Sequence, residues 1–241
     1  MLSTDDKKIL NQFMEENAEL RRIIEALYDE FDFNLSKISH EIRNPLTLIN
    51  SSLQIIEAQH PEVTSFNFWN ETVEDVNYLR ILLEELSAYN KRDTINPISI
   101  GIREFLTPIV SSLLPLARKS YIEINLIIQD DLPDLFIDPI KMREAFINLI
   151  KNAIDAIEQQ GTITISISLE EEEFVILIHD TGTGIAKERL ETIFNPFVTN
   201  KPLGSGLGLA VTEKIIESHK GNISVMSKAK HGTTFCIHLP V

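Results

Sequence analysis

Two stretches of this sequence set chemically able side chains at spacings that chemistry can use. The first surrounds His40, which is followed by Glu41 and, one helical turn on, by Asn44. On a helix His40 falls about 200° around the axis from Ile38, so it turns away from the apolar stripe to which Ile38 belongs. An exposed imidazole that is neutral near pH 7 is a competent nucleophile, and an adjacent carboxylate can hold its other nitrogen and take up a proton. Glu41 is placed for that work. Asn44 shares the face of His40 and can orient a water or an incoming group. Pro45 withholds a backbone donor and is expected to loosen or bend the helix beside the reacting ring. Without neighbours of this kind, an exposed helical histidine is usually no more than a solvated surface residue.

The second stretch begins near Pro139. At helical spacing, Glu144, Asn148, Lys151, Asn152 and Asp155 gather on one face, while Met142, Phe146, Leu149, Ala153 and Ile157 fill the opposite one. Carboxamide oxygens suit a hard cation such as magnesium, which keeps several waters and is shared with phosphates. A charged face on a lone helix would be ordinary solvation. Further on, DTGTGI (Asp180 to Ile185) ends an apolar run with a carboxylate, and Gly182 and Gly184 permit a tight loop against a flat ligand. A single D-x-G-x-G resembles many β-turns. GSGLGL then sets Gly204, Gly206 and Gly208 before a helical pattern, offering bare N–H groups and a positive helix end to phosphates. The spacing nearly meets the dinucleotide fingerprint, but it follows FNPFVTNKPL and not a strand, so a Rossmann reading fails its context.

The elements that must position these residues change character along the chain. Leu10, Phe13, Asn17, Leu20, Ile24, Leu27 and Phe31 alternate in steps of three and four, the seam of a coiled coil with Asn17 at a core position. A single amphipathic helix packed on its own domain is the plainer alternative. The stripe continues through Leu35, Ile38, Ile42, Leu46, Ile49, Leu53 and Ile56 and breaks at His60 and Pro61. A second stripe from Trp69 to Leu86 precedes a boundary at Asn96 and Pro97. Two such helices make a hairpin too apolar to stand alone, so pairing of two copies into a four-helix bundle is expected. After Pro97, helical patterns (Leu106 to Lys119, Pro139 to Gln159, Leu207 to Lys220) alternate with strand patterns (Tyr121 to Ile128, Ile163 to Leu169, Phe174 to Asp180, ISVM and TTFCIHL). Several antiparallel strands with helices on one face make an α+β sandwich. The expected division is a coiled-coil signal helix over residues 1–32, an all-α dimerisation hairpin over 33–95 and the sandwich over 96–241.

Composition narrows the partners. A net charge of −14 on 241 residues argues against a surface for nucleic acid or acidic lipid. One cysteine, Cys236, cannot make an internal disulfide, and the amino terminus shows no signal peptide, so a reducing, cytoplasmic compartment is expected. Any membrane attachment would come through a sensor segment outside this sequence.

FNLSKISHEIRNPLTLI, residues 33 to 49, resembles the phosphoacceptor box of sensor histidine kinases. The ordered series N-L-I-K-N, D-T-G-T-G, F-N-P-F and G-S-G-L-G-L resembles the ATP-binding domain that those kinases share with gyrase, Hsp90 and mismatch-repair ATPases, in the short-lid subgroup of nitrogen-regulation and sporulation kinases. The resemblance spans roughly Phe33 to Val241 and implies a protein-histidine kinase using ATP and Mg2+. It makes His40 the phosphoacceptor, Glu41 its base and Asn44 a residue for dephosphorylating a response regulator receiver domain. Asp180 would accept from the adenine amino group, Asn152 ligate magnesium and Asn148 lie beside the phosphates. Gly182 and Gly184 would shape the base pocket, with Lys151 and Asp155 on the same helix. Thr199 and Lys201, then Gly204, Gly206, Leu207 and Gly208, would form the lid, with Lys201 able to reach phosphate. Two rivals stand beside this reading: a plain ATPase or ATP-gated clamp, which leaves SHEIRNPL unexplained, and a phosphorelay scaffold without ATP chemistry, against which Asn152, Asp180 and the lid glycines argue.

Overall fold

In a computed structural model, residues 13, 17–89, 94–201 and 204–241 are described. They belong to two compact units, residues 1–92 and 93–241.

The first unit is a helical hairpin. Helix α1, Ala18–Gln59, runs 42 residues and passes through Pro45 without ending. It stops where His60 and Pro61 end the ladder, as the sequence implies, and a 3-10 turn, Pro61–Ser65, leads to α2, Trp69–Tyr89. The apolar stripe of α1 divides in two. Leu46 is buried with Leu83 of α2 and Val63 of the turn, whereas Ile38, Ile42, Ile49 and Ile56 stay 40 to 50% exposed in the single chain. Asn17 departs from its expected core position. It caps α1, its side-chain oxygen accepting from the Glu19 and Leu20 N–H groups at 3.1 and 3.0 Å, the satisfaction of free helix donors for which asparagine is favoured. Leu10, the start of the expected coiled coil, lies outside the described residues.

The second unit is a two-layer α+β sandwich. Strand β1, Ile98–Ile100, precedes α3, Ile102–Lys119, then β2, Ile122–Ile128, and β3, Leu135–Ile137. Helix α4, Pro139–Ala156, leads to the hairpin of β4, Gly161–Glu170, and β5, Glu173–Asp180. The short α5, Lys187–Leu190, and the lid precede α6, Gly208–Ser218, and strands β6, Asn222–Ser227, and β7, Thr233–Pro240. Five strands form one sheet in the order β2-β4-β5-β7-β6, and β1 pairs with β3 apart from it. The sheet is mixed where an antiparallel one was expected: β2 runs parallel to β4, because α4 lies in the connection between them and returns the chain in the same direction. Alternation gives the sheet one apolar face. Ile163, Ile165, Ile167, Phe174, Ile176, Ile178, Phe235, Ile237 and Leu239 are buried, as are Met142, Phe146, Leu149 and Ile150 of α4. Burying each large side chain is worth about 1.5–3 kcal/mol. The other face carries Ser166, His179, Thr234 and Cys236, all half-buried. There the Cys236 thiol lies 3.2 Å from His238 Nε2, and burial pushes its pKa above the usual thiol value.

Candidate active sites

The hairpin presents His40 on the exposed side of α1, as its spacing implies, and Glu41 and Asn44 are exposed with it. The group on the ring is not the expected carboxylate. Arg43 sets NH1 at 3.2 Å from His40 Nδ1, and its NH2 donates to Ser87 Oγ of α2 at 3.0 Å. Glu41 instead lies 4.0 Å from Lys37 one turn back, both side chains about two-thirds exposed. The difference follows from helix geometry: residues three apart share a face, and residues one apart do not. Ser39 points the other way, 1% exposed, and its hydroxyl has no hydrogen-bond partner among the described residues. Arg43, Ser87 and Ser39 were not singled out from the sequence. Ser87 is 44 residues from Arg43, and no local pattern marks the pair.

In the sandwich, α4 starts on Asp138, whose Oδ1 accepts from the Ile140 and Lys141 N–H groups at 2.9 and 3.1 Å, with Pro139 preset in the first turn. Asp138 Oδ2 accepts from Asn96 N–H, and the Asp138 N–H donates 2.9 Å to Nε2 of buried His219 at the end of α6. Burial pushes the Asp138 carboxyl up, but the backbone donors of Asn96, Lys141 and Ile140 and the nearby His219 outweigh it, and its pKa is lowered. This junction fixes α4 against α6, so that Asn148 Nδ2 reaches the Gly208 carbonyl at 3.4 Å. The Asp-Pro start was legible in sequence; the His219 partner, 81 residues away, was not.

The polar face of α4 meets Lys201, in the connection between α5 and α6. Lys201 Nζ donates to Asn152 Oδ1 at 2.8 Å and pairs with Asp155 Oδ2 at 2.6 Å. Its backbone N–H donates to Thr199 Oγ1 at 3.0 Å, and its carbonyl accepts from Gly204 N–H. Lys151 is exposed on the same helix. Leu207 has its side chain 0% exposed in the core, and its N–H donates to Ser205 Oγ, so what it presents beside the glycine run is backbone.

Asp180 closes β5 with its side chain 2% exposed. Its Oδ1 accepts from Gly182 N–H at 2.8 Å. Burial raises the pKa above the ordinary carboxylate value despite lowering contributions from the Gly182 and Thr233 N–H groups and from His179. The loop is anchored by Thr183 N–H on the Ala156 carbonyl at 2.9 Å and by Ile185 N–H on Ser227 Oγ at 2.8 Å. Gly184 takes φ +67° and Gly206 φ +71°, a region that other residues enter only with strain, and an added Cβ at Gly206 would meet the Phe197 backbone at 2.6 Å. The structure thus joins Asn152, Asp155 and Lys201, joins Asn148 to Gly208, and ties Asp180 to Gly182.

Comparison with known proteins bears on the family and the fold. Residues 137–241 match the family described as histidine kinase-, DNA gyrase B- and HSP90-like ATPase. Sporulation kinase E of Bacillus subtilis is 31% identical over 205 residues, which are 85% of this chain and 28% of that protein. Sensor histidine kinase ZraS of Escherichia coli is 31% identical over 205 residues, 85% of this chain and 44% of the relative. The chain contains a histidine kinase catalytic core. The kinase core spans between 28 and 55% of the length of the first curated relatives that it matches. Its fold is similar to histidine kinase ThkA in complex with the response regulator protein TrrA, with a TM-score of 0.65, 24% identity, and coverage of 97% of this chain and 66% of that one. Among the described residues, no helix is long and apolar enough to cross a membrane.

Proposed function

We propose that the kinase core moves the γ-phosphoryl group of ATP onto His40 and from there onto an aspartate of a response regulator receiver domain, with Asn44 serving its later removal. The observation that carries this reading is the presence on one chain of an exposed helical histidine, in SHEIRNPL, and of an ATPase-type domain. In the pocket Asp180 would accept from the adenine amino group, Asn148 and the glycine run would lie along the phosphates, and Glu41 would take the ring proton. That ThkA, which is similar in fold, binds the response regulator protein TrrA supports a response regulator as partner.

The donor set of α4 fits magnesium. Asn152 Oδ1 and Asp155 Oδ2 already converge on a cation, the Lys201 ammonium, and oxygen donors suit a hard divalent ion. The lysine pair is about half exposed, and such pairs are worth only about 0–1 kcal/mol, so it can be exchanged. Magnesium, when bound with ATP, neutralises phosphate charge. Lys201 is then free to turn toward phosphate, and Asn152 is the residue proposed to ligate the ion.

The exposed isoleucines of α1 support a homodimer in which two hairpins bury that stripe. Incubation with γ-labelled ATP tests the main reading. A label that survives base, is lost in acid and disappears in His40→Gln while nucleotide binding persists is the expected result. Phosphate released only to water would favour the ATPase alternative.

A further inference from the structure

The Arg43 contact carries a consequence for the ring it touches. A guanidinium stays protonated, carries five N–H donors and has no acceptor. At 3.2 Å from Arg43 NH1, His40 Nδ1 must therefore supply the lone pair. In a neutral imidazole the proton then resides on Nε2. Neither nitrogen is a free nucleophile in this arrangement: the Nδ1 lone pair faces the guanidinium, and Nε2 bears the proton. The second arm of Arg43 is held on α2 by Ser87 Oγ, which itself donates to the Leu83 carbonyl at 2.7 Å. The Lys37–Glu41 pair is the charged neighbour on the same helix.

We propose that Arg43 is a positioning residue that holds the resting acceptor in its Nε2–H tautomer, and that Ser87 makes this hold depend on how α1 lies against α2. The inference rests on the reading of His40 as the acceptor. A slide or rotation of α2 carries Ser87 away, Arg43 leaves Nδ1, and the ring proton passes from Nε2 to Nδ1 through solvent. The Nε2 lone pair then forms the bond to the γ-phosphorus. The bond from that phosphorus to the β–γ bridging oxygen breaks, ADP leaves with its electron pair, and the Nδ1 proton goes to a base, for which Glu41 is the adjacent carboxylate. Signal input to the hairpin is thereby converted into the place of one proton.

The test uses the full chain with 15N-labelled histidine and no nucleotide. The wild type should show His40 as the Nε2–H form, with the Nδ1 shift of a hydrogen-bonded acceptor. Arg43→Met should lose that acceptor signature and gain a measurable Nδ1–H population. Its initial labelling rate from ATP should rise on the order of 3- to 10-fold, because a rate scales with the competent fraction. Ser87→Ala should shift both readouts in the same direction, and Arg43→Lys, which still donates, should restore the wild-type tautomer. A wild-type ring protonated on Nδ1, a signature unmoved in both Arg43→Met and Ser87→Ala, or a labelling rate that does not rise overturns the proposal. If Arg43→Met does not fold, the wild-type spectrum and Ser87→Ala decide. Failure of the acceptor reading looks different: His40→Gln then keeps the label of the wild type, whatever the tautomer.

Discussion

Asp180 concentrates two opposing demands in one side chain. Burial raises its pKa, so the ionised form costs the folded protein free energy, and that cost grows as pH rises through the folded-state value. The sign is that of a raised carboxylate: the group favours folding in its protonated form, and the benefit is lost on the alkaline side. A donor such as the adenine amino group would favour the ionised form instead. Asp180→Asn should therefore leave thermal stability at neutral pH unchanged or slightly higher while weakening ATP affinity about 10- to 100-fold, the range for losing a charge-assisted hydrogen bond of about 1.5–3 kcal/mol. Paired melting and fluorescent-nucleotide titrations check this; unaltered affinity would place adenine elsewhere. The sequence pointed to these candidates, since D-T-G-T-G and N-L-I-K-N set carboxylate, carboxamide and glycine in a recognisable order. Contacts across long separations could not be read from it. Lys201 on Asn152 and Arg43 on Ser87 are 49 and 44 residues apart, and only the fold brings them together.

At the scale of elements, periodicity revealed the long helices because each alternates an apolar with a polar face over many turns. It missed β1 and β3, each three residues long, because so short a run shows no period. It also missed the parallel pairing of β2 with β4, which depends on the route of the chain and not on side-chain alternation. Ser39 shows how periodicity can hide a polar residue inside an interface. Its hydroxyl is buried in the hairpin without a partner among the described residues, and an unsatisfied buried group costs about 1–3 kcal/mol. Ser39→Ala should raise the stability of the hairpin by about 1 kcal/mol in denaturant unfolding. A loss of stability would mean that the hydroxyl is satisfied in solution.

For the whole molecule, the question is what covers the free half of the α1 stripe. Ile38, Ile42, Ile49 and Ile56 repeat at spacings that keep them on one side of the helix, and their 40 to 50% exposure in the single chain is apolar surface that a second copy would bury. Ile42→Glu with Ile49→Glu should convert the proposed dimer to monomer in sedimentation equilibrium while leaving ATP binding to the second unit intact. A wild type that sediments as a monomer at micromolar concentration would remove the dimer from the mechanism. The sequence raised the expectation of such a partner, because the long stripes of the two helices present more apolar surface than one hairpin was expected to cover. It did not indicate which isoleucines face inward, since that depends on how α2 is set against α1.

The placement of Cys236 on the polar side of the sheet has a practical outcome. The chain has a single thiol, it is half-buried, and its pKa is raised by burial, so little of it is thiolate at neutral pH. Maleimide dyes and spin labels should modify it slowly below pH 8. A new surface cysteine on α1 or on the lid can then be tagged selectively in the otherwise native chain, giving distance and fluorescence experiments a reporter without first removing Cys236.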